Sequence, residues 1–375
     1  MKKILLGTTG LVGAALIATA ASAETPKVTL GGFSDFQAGW TNDDRDAGLR
    51  DNAFRQENTV TVKVDGKTDA GLGYGAQIDI QADISGNVDN GGTNATRTFT
   101  YLSGNWGRAE LGGNKSIAST MRVDASTLAV ATGGINGEWT SFVNGTPTTG
   151  AGYITTAGLP SQHGSTTAFG DESTYNATKI NYYTPKFAGF QAGFSYTPDN
   201  TARGQTVNRA KNDGALGEVY NLGLSYDNQF SGVKVSASAT GEFANAGAAA
   251  SKDVEAYNVG GLLGYKGFSV AGSYGDWSDS NTTRNVDSSY WTAGLGYEAG
   301  PVGLSATYLE STREGGTGVT DNEFQNVVLG ADYKLAPGLT PYAEVSFYDF
   351  DNNRKAATTY KNAGTSVILG TQVAF

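Results

Sequence analysis

The sequence contains few residues that could carry out bond chemistry. His163 is its only histidine, and the neighbouring Ser161 and Ser165 are the nearest candidate nucleophiles. Nucleophilic catalysis requires a base that is held against its nucleophile and oriented by a third group. The Gly/Ser/Thr-rich segment around His163 offers no such support. The chain also lacks cysteine, which excludes disulfides, thiol chemistry and cysteine metal sites. We therefore do not expect an enzyme.

Two clusters of acidic residues offer oxygen atoms that could bind a metal ion. They consist of Asp43, Asp44, Asp46 and Asp51 near the start of the chain, and of Asp349 and Asp351 near its end. Oxygen-rich loops can bind calcium, but the spacing of an EF-hand is absent. Calcium in these loops is therefore an open expectation, and no other cofactor is expected.

Much of the remaining sequence has the period-two pattern of β-strands, in which successive side chains point to opposite faces. One face of the segment 220–226 carries Tyr220, Leu222, Leu224 and Tyr226, and the other carries Asn221, Gly223 and Ser225. The segments 190–196, 257–265 and 291–297 repeat this pattern. Aromatic residues at both ends of an apolar face are typical of strands that cross a membrane. The small, polar opposite face suits a lining that leaves room for water, and a soluble β-sandwich does not explain the aromatic ends.

Sixteen such strands are predicted, and the connections between them alternate in length. The strands are 26–39, 53–65, 72–83, 95–103, 106–112, 176–184, 189–197, 218–227, 232–243, 254–265, 267–276, 289–298, 301–310, 323–334, 339–350 and 365–375. Connections after even-numbered strands are short and those after odd-numbered strands are long. Outer-membrane barrels keep their long loops on one side in this way. The pattern predicts an all-β fold, a 16-stranded antiparallel transmembrane β-barrel.

The first 23 residues have the pattern of a secretory signal peptide. Lys2 and Lys3 precede an apolar stretch, and Ala21-Ser22-Ala23 fits a cleavage site. Residues 1–23 contain two lysines and no acidic residue, so the mature chain of 352 residues has 24 basic and 36 acidic side chains, a net charge of −12. This acidity argues against a nucleic-acid partner. No linker interrupts residues 24–375, which we expect to form one barrel domain.

Several stretches of the sequence resemble Gram-negative general diffusion porins. They are 176–190, with a tyrosine pair, a proline turn and Gly-Phe; the hairpin 96–112; and the terminal Val373-Ala374-Phe375. The resemblance implies a homotrimer in the outer membrane, surrounded by lipid and lipopolysaccharide. It also implies that Phe375 is presented to the barrel assembly machinery.

The same resemblance implies that the third external loop folds into the lumen and narrows it. The longest connection, 113–175, occupies this place, and its apolar anchors are Ile117, Met121, Leu128, Ile135, Trp139, Phe142 and Phe169. Loops of this length are usually functional or disordered. A flap that stays outside the barrel is the alternative.

In this family acidic residues on the inserted loop face basic residues on the barrel wall. The acidic candidates here are Asp124, Glu138, Asp171 and Glu172, and the basic candidates are Arg55, Arg97 and Lys179. Arg55 shares its face of the strand with Glu57. Arg97 shares its face with Phe99 and Tyr101, two aromatic residues that would ordinarily point outward. Glu138, beside Trp139, is the preferred carboxylate.

We therefore expect a water-filled channel for ions and small hydrophilic solutes. A substrate-selective channel, for example for sugars, and a barrel with an adhesive or structural role are the alternatives. The acidic balance predicts a modest preference for cations. A trimer interface is expected on the outward aliphatic residues Leu72, Ala76, Ile78, Ala82, Ala109, Leu111, Val367 and Leu369.

Overall fold

The structure is a computed structural model that describes residues 24–83, 94–143, 153–163, 176–211, 214–280, 286–314, 321–352 and 361–375. Sixteen strands are present in these residues, as predicted. They are β1 Glu24–Asp43, β2 Asn52–Lys67, β3 Gly73–Gln81, β4 Asn94–Gly104, β5 Gly107–Gly113, β6 Thr178–Tyr183, β7 Phe190–Asp199, β8 Gly217–Phe230, β9 Val233–Asn245, β10 Val254–Tyr265, β11 Phe268–Ser278, β12 Ser288–Ala299, β13 Val302–Arg313, β14 Asn322–Tyr333, β15 Leu339–Asn352 and β16 Asn362–Ala374. No helix in the described part of the chain is long and apolar enough to cross a membrane.

The strands form one closed antiparallel barrel in sequence order. Each strand pairs with its neighbours along the chain, and β1 pairs with β16 to close the ring. The closing seam extends to the last residue, where Gly32 and Phe375 exchange two backbone hydrogen bonds of 3.0 Å. Closure leaves no unpaired sheet edge, which is what a sheet needs in order to cross a membrane.

The short turns lie together at one end of the barrel. In three of them, Ala188-Gly189, Ser231-Gly232 and Lys266-Gly267, both residues have the positive φ of a type I′ turn. This turn matches the twist of paired strands, so it fixes the register of the hairpin. The long connections and the predicted long loop 113–175 start from the opposite end.

Side chains along the strands alternate between the two faces as the sequence predicts. On β8, Leu222 and Leu224 are exposed on the outer surface, whereas Asn221 is fully buried inside. The inward set includes Phe99 and Tyr101 on β4, and Tyr101 donates a hydrogen bond to Asp65 on β2. The expectation that these two aromatics point outward is therefore wrong.

The described parts of the long loop run along the inner wall. They contain the short helices Ile117–Thr120 and Pro160–His163 and the 3-10 turns Ala125–Leu128, Gly134–Asn136 and Glu138–Phe142. Backbone N–H groups of the loop donate to hydroxyls of the inner wall, for example Ile117 to Ser195 (2.7 Å) and Val123 to Ser238 (2.8 Å). The loop therefore folds into the lumen, and the external flap is wrong for these parts. Phe169 lies outside the described residues.

An apolar core inside the barrel anchors the loop. Trp139 is fully buried and stacks on Phe324 and Tyr348 of the wall, with ring centroids 6.0 and 5.5 Å away. Leu309 and Ile368 are also fully buried in this core. Because large apolar residues point inward here, the inner face is not uniformly small and polar.

Inward glycines accommodate the loop at positions where the sequence suggests room for water. A Cβ atom at Gly193 would lie 2.8 Å from the side chain of Ile117, and one at Gly223 would lie 2.7 Å from it. Such contacts are too close for any side chain. At these positions the small residues let the loop pack against the wall, which corrects the prediction of a hydrated lining.

Candidate functional site: a charged opening beside the loop

A polar cavity of about 620 Å³ lies between the loop and the wall. Its charged lining residues in the described chain are Arg55, Glu57, Lys115, Arg122, Asp124 and Glu138. Two of these belong to β2 and four to the loop, and basic and acidic side chains are equal in number. Such a lining can interact with ions of either sign and with polar solutes, because it supplies both charges and hydrogen-bonding groups.

Glu138 of the loop and Arg55 of the wall meet across this cavity. Glu138 Oε2 lies 3.0 Å from Arg55 Nη2, and the same nitrogen lies 2.8 Å from Glu57 Oε2. The side chains of Arg55 and Glu138 are 30% and 35% exposed, so both remain accessible to water. The structure thus places the preferred loop carboxylate, Glu138, beside Arg55, one of the three basic candidates of the wall.

Buried polar residues on β1 hold Arg55 from behind. Arg55 Nη1 donates to Gln37 Oε1 (3.3 Å), and Gln37 Nε2 donates to Asp35 Oδ2 (3.1 Å). Asp35 also accepts a hydrogen bond of 2.8 Å from the hydroxyl of Tyr342. Sequence reasoning missed these three residues, although the inward period of β1 and β15 would have identified them.

Asp124 lies at the edge of the same cavity but is almost fully buried. It accepts from Arg122 Nε (2.6 Å) and caps a 3-10 turn through the backbone N–H of Ser126 (2.7 Å). Arg122 also donates to Gln162 Oε1 (2.7 Å) and so joins two parts of the loop. The carboxylate of Asp124 therefore stabilises the fold of the loop, and its charge is paired with that of Arg122.

Arg97 points inward, but it is not among the residues that line this cavity. Its guanidinium forms a salt bridge of 2.5 Å with Asp79 of β3. Asp79 is buried and also accepts hydrogen bonds from Thr61 (2.8 Å) and Gln77 (3.0 Å). The structure therefore places Arg97 in a paired cluster on the wall, separate from Glu138 and Arg55.

Lys179 lies behind the loop and does not face the cavity. Its side chain is buried, and Nζ donates to the carbonyl oxygens of Asn114 (2.5 Å) and Ala177 (2.7 Å). These two residues stand at the two ends of the long loop. The prediction that Lys179 faces the pore is therefore wrong. Its ammonium group instead holds the two ends of the loop together.

The remaining predictions concern Asp171, Glu172 and the acidic clusters. Asp171 and Glu172 lie outside the described residues. In the first acidic cluster, Asp43 accepts from the backbone of Arg45 and from the hydroxyl of Tyr348, both at 3.0 Å. Within the described ranges no group of three or more metal-binding side chains lies close enough to hold an ion. The calcium expectation therefore gains no support.

The chain matches known proteins along its length. A family model for Gram-negative porins matches residues 7–353. An uncharacterized protein of Rickettsia bellii is 25% identical over an alignment of 456 positions that covers 100% of both chains. Outer membrane porin protein 32 of Delftia acidovorans is 29% identical over 232 residues, which cover 61% of this chain and 57% of that protein.

Solved structures show the same fold. The anion-selective porin from Comamonas acidovorans superposes with a TM-score of 0.62 at 19% identity, covering 93% of this chain and 100% of that one. OmpT of Vibrio cholerae superposes with a TM-score of 0.63 at 13% identity, covering 94% and 100%.

Fold and family together define a membrane-spanning channel, a closed barrel with a loop folded into its lumen and a charged cavity beside that loop. The chain belongs to the Gram-negative porin family, since the family model covers most of its length. It is an outer-membrane porin that forms a diffusion channel, and it is not an enzyme.

Proposed function

We propose that the opening between Glu138 and Arg55 is the constriction of the channel and sets which small hydrophilic solutes and ions pass. The observation that carries this proposal is the partly exposed ion pair between loop and wall inside the polar cavity. Charges at a narrow aqueous gap between low-dielectric walls act on every passing ion, because the walls focus their field.

A general diffusion channel fits the described lumen better than a sugar-selective one. A sugar channel needs aromatic side chains along the path of the solute. The inward aromatics Phe324, Tyr348 and Phe350 are buried beneath the loop and so are withdrawn from the path. The charged lining, in contrast, is open to water.

The selectivity of this channel is a modest preference for cations. The charges that line the described cavity balance, so the excess comes from the chain as a whole, which has a net charge of −10. An anion preference is the second candidate, since Arg55, Arg97 and Arg108 all project from the wall of β2 to β5. Each of these arginines is paired with a carboxylate, which weakens its long-range field.

The sign of the reversal potential in a salt gradient across a planar bilayer tests this proposal. Glu138→Gln should move the reversal potential toward anions at low salt, because it removes an acidic field source without removing a packed group. The shift should shrink in high salt, where the screening length falls from ~10 Å at 0.1 M to ~3 Å at 1 M.

A matched control is Glu298→Gln, which removes the same charge from an exposed side chain at the short-turn end. This variant should leave the reversal potential close to that of the unmodified channel. If Glu138→Gln also leaves it unchanged at low salt, Glu138 does not face the ion path and the proposed constriction is wrong.

The environment and assembly of the barrel follow from its outer surface. The outward apolar band suits lipid and, on the long-loop side, lipopolysaccharide, and its aliphatic part suits a homotrimer. OmpT of Vibrio cholerae is described in a trimer form. Phe375 is 64% exposed at the end of the seam, which makes it accessible to the barrel assembly machinery. Cleavage after Ala23 would leave the barrel domain 24–375.

A further inference from the structure

We infer that Glu344, a buried carboxylate on β15, is a positioning residue that places Glu138 in the channel and so sets its selectivity. This inference rests on the proposed constriction at Glu138 and Arg55. It concerns how the charged pair is held, since Glu344 itself is 1% exposed and does not line the cavity.

Hydrogen bonds connect Glu344 to Glu138 through a single residue, Thr132. The hydroxyl of Thr132 donates to Glu344 Oε1 (2.5 Å), and its backbone N–H donates to Oε2 (3.2 Å). The same hydroxyl oxygen accepts from the backbone N–H of Glu138 (2.9 Å). One wall carboxylate thus holds Thr132 by two bonds, and Thr132 holds the backbone from which the side chain of Glu138 projects.

The turn between Thr132 and Glu138 is built closely around this carboxylate. A Cβ atom at Gly137 would lie 2.4 Å from Thr132 Oγ1 and 3.2 Å from Glu344 Oε1, so no other residue fits there. Ala131, just before Thr132, has a positive φ of 58°, a conformation that costs free energy in an alanine. Both constraints occur in the segment that places Thr132 against the wall.

The ion pair itself is too weak to fix the loop. Partly exposed ion pairs contribute roughly 0–1 kcal/mol, because water screens them and their side chains lose entropy. A buried carboxylate, in contrast, is costly unless its hydrogen bonds are made, so it enforces its geometry on its partners. The position of Glu138 is therefore set by Glu344 and Thr132 behind it, as that of Arg55 is set by Gln37.

Two substitutions break this connection in different ways. Glu344→Gln replaces one acceptor oxygen by an NH2 group, which cannot accept from both donors of Thr132. Thr132→Val removes the hydroxyl while keeping the shape and every formal charge. Both variants should shift the reversal potential at low salt in the same direction as Glu138→Gln and by a comparable amount. Thr132→Ser keeps the hydroxyl and should leave the reversal potential unchanged.

Double variants separate positioning from a direct field effect. If Glu344 acts through Glu138, then Glu138→Gln/Glu344→Gln should have the reversal potential of Glu138→Gln alone, since coupled residues are not additive. Additive shifts would mean that Glu344 acts on ions as an independent charge, which overturns the inference.

Glu242→Gln is the matched control. Glu242 is also a fully buried wall carboxylate, and it accepts from the backbone of Ser161 (2.7 Å) and from Asn221 (2.7 Å) at a different part of the loop. Its substitution should leave the reversal potential unchanged.

An equal shift in Glu242→Gln would indicate general loosening of the loop and overturn the inference. An unchanged reversal potential in Thr132→Val would overturn it as well. If Glu138→Gln alone has no effect, the proposed constriction fails first, so the two failures are distinguishable.

Discussion

Burial divides the charged residues of the inner wall into two roles. Arg55 and Glu138 are about one-third exposed, so their charges act on the water beside them. Lys179, Glu242 and Glu344 are buried under the loop, where their polar atoms make hydrogen bonds within the protein. A buried side chain does not face the water of the channel. Its removal mainly leaves its hydrogen-bond partners in the protein unsatisfied.

Lys179→Met tests this division at a single residue. The thioether would leave the carbonyl oxygens of Asn114 and Ala177 without their donor, which should cost about 1–3 kcal/mol of unfolding free energy. The reversal potential should not change, because the ammonium group does not face the cavity. Denaturant unfolding in detergent and bilayer recordings measure the two effects.

Lys186→Met is the control for loss of one positive charge, since Lys186 is exposed at a short turn. A shift toward cations in Lys179→Met that is absent in Lys186→Met would show that Lys179 does face the channel, as the sequence first suggested.

The loop is an element held mainly by apolar packing. Trp139 follows Glu138 directly and is fully buried between Phe324 and Tyr348. Truncation of a buried tryptophan usually costs about 3–5 kcal/mol, through lost contacts and the cavity left behind. We expect Trp139→Ala to release the Glu138–Phe142 turn from the wall while the barrel stays closed.

This variant should show faster proteolysis of the loop and larger, noisier conductance. Trp106→Ala is a suitable control, because Trp106 is exposed outside the lumen and stacks only on Tyr182 in the described contacts. Unchanged conductance and proteolysis in Trp139→Ala would contradict the anchoring role.

The strands were predictable from sequence, whereas most of the contacts made by the loop were not. Period-two alternation depends on neighbours along the chain, so all sixteen strands fall within a few residues of their expected limits. The loop contacts depend on residues far apart in the chain, such as Thr132 and Glu344, and no local pattern reports them. Glu138 and Arg55 were each named as candidates from the sequence, but their pairing became visible only in the structure. Glu344 was missed because its inward position is shared with ordinary wall residues such as Ser346.

At the scale of the whole molecule, the outer surface is uneven around the barrel. Aromatic pairs lie on its outer face from β10 to β13, such as Trp291 with Tyr308 (4.9 Å) and Phe268 with Tyr297 (4.4 Å). Such rings favour the membrane interfaces. From β3 to β5 the exposed outward residues include the aliphatic Ile78, Leu102 and Leu111. Outward aromatic pairs also lie between β1 and β2 and between β7 and β8, so we propose only the stretch from β3 to β5 as a side suited to other barrels.

Association of barrels within a membrane depends on close packing, since lipid tails are as apolar as leucine. We therefore expect the protein in mild detergent to have a trimer's mass by light scattering. Ile78→Trp together with Leu111→Trp should yield monomers, because the added rings prevent close approach although lipid tolerates them. Leu295→Trp places a ring on the aromatic side, where Leu295 is exposed, and should leave the trimer intact. A monomer mass for the unmodified protein, or equal dissociation in Leu295→Trp, would show that the aliphatic face is not the interface.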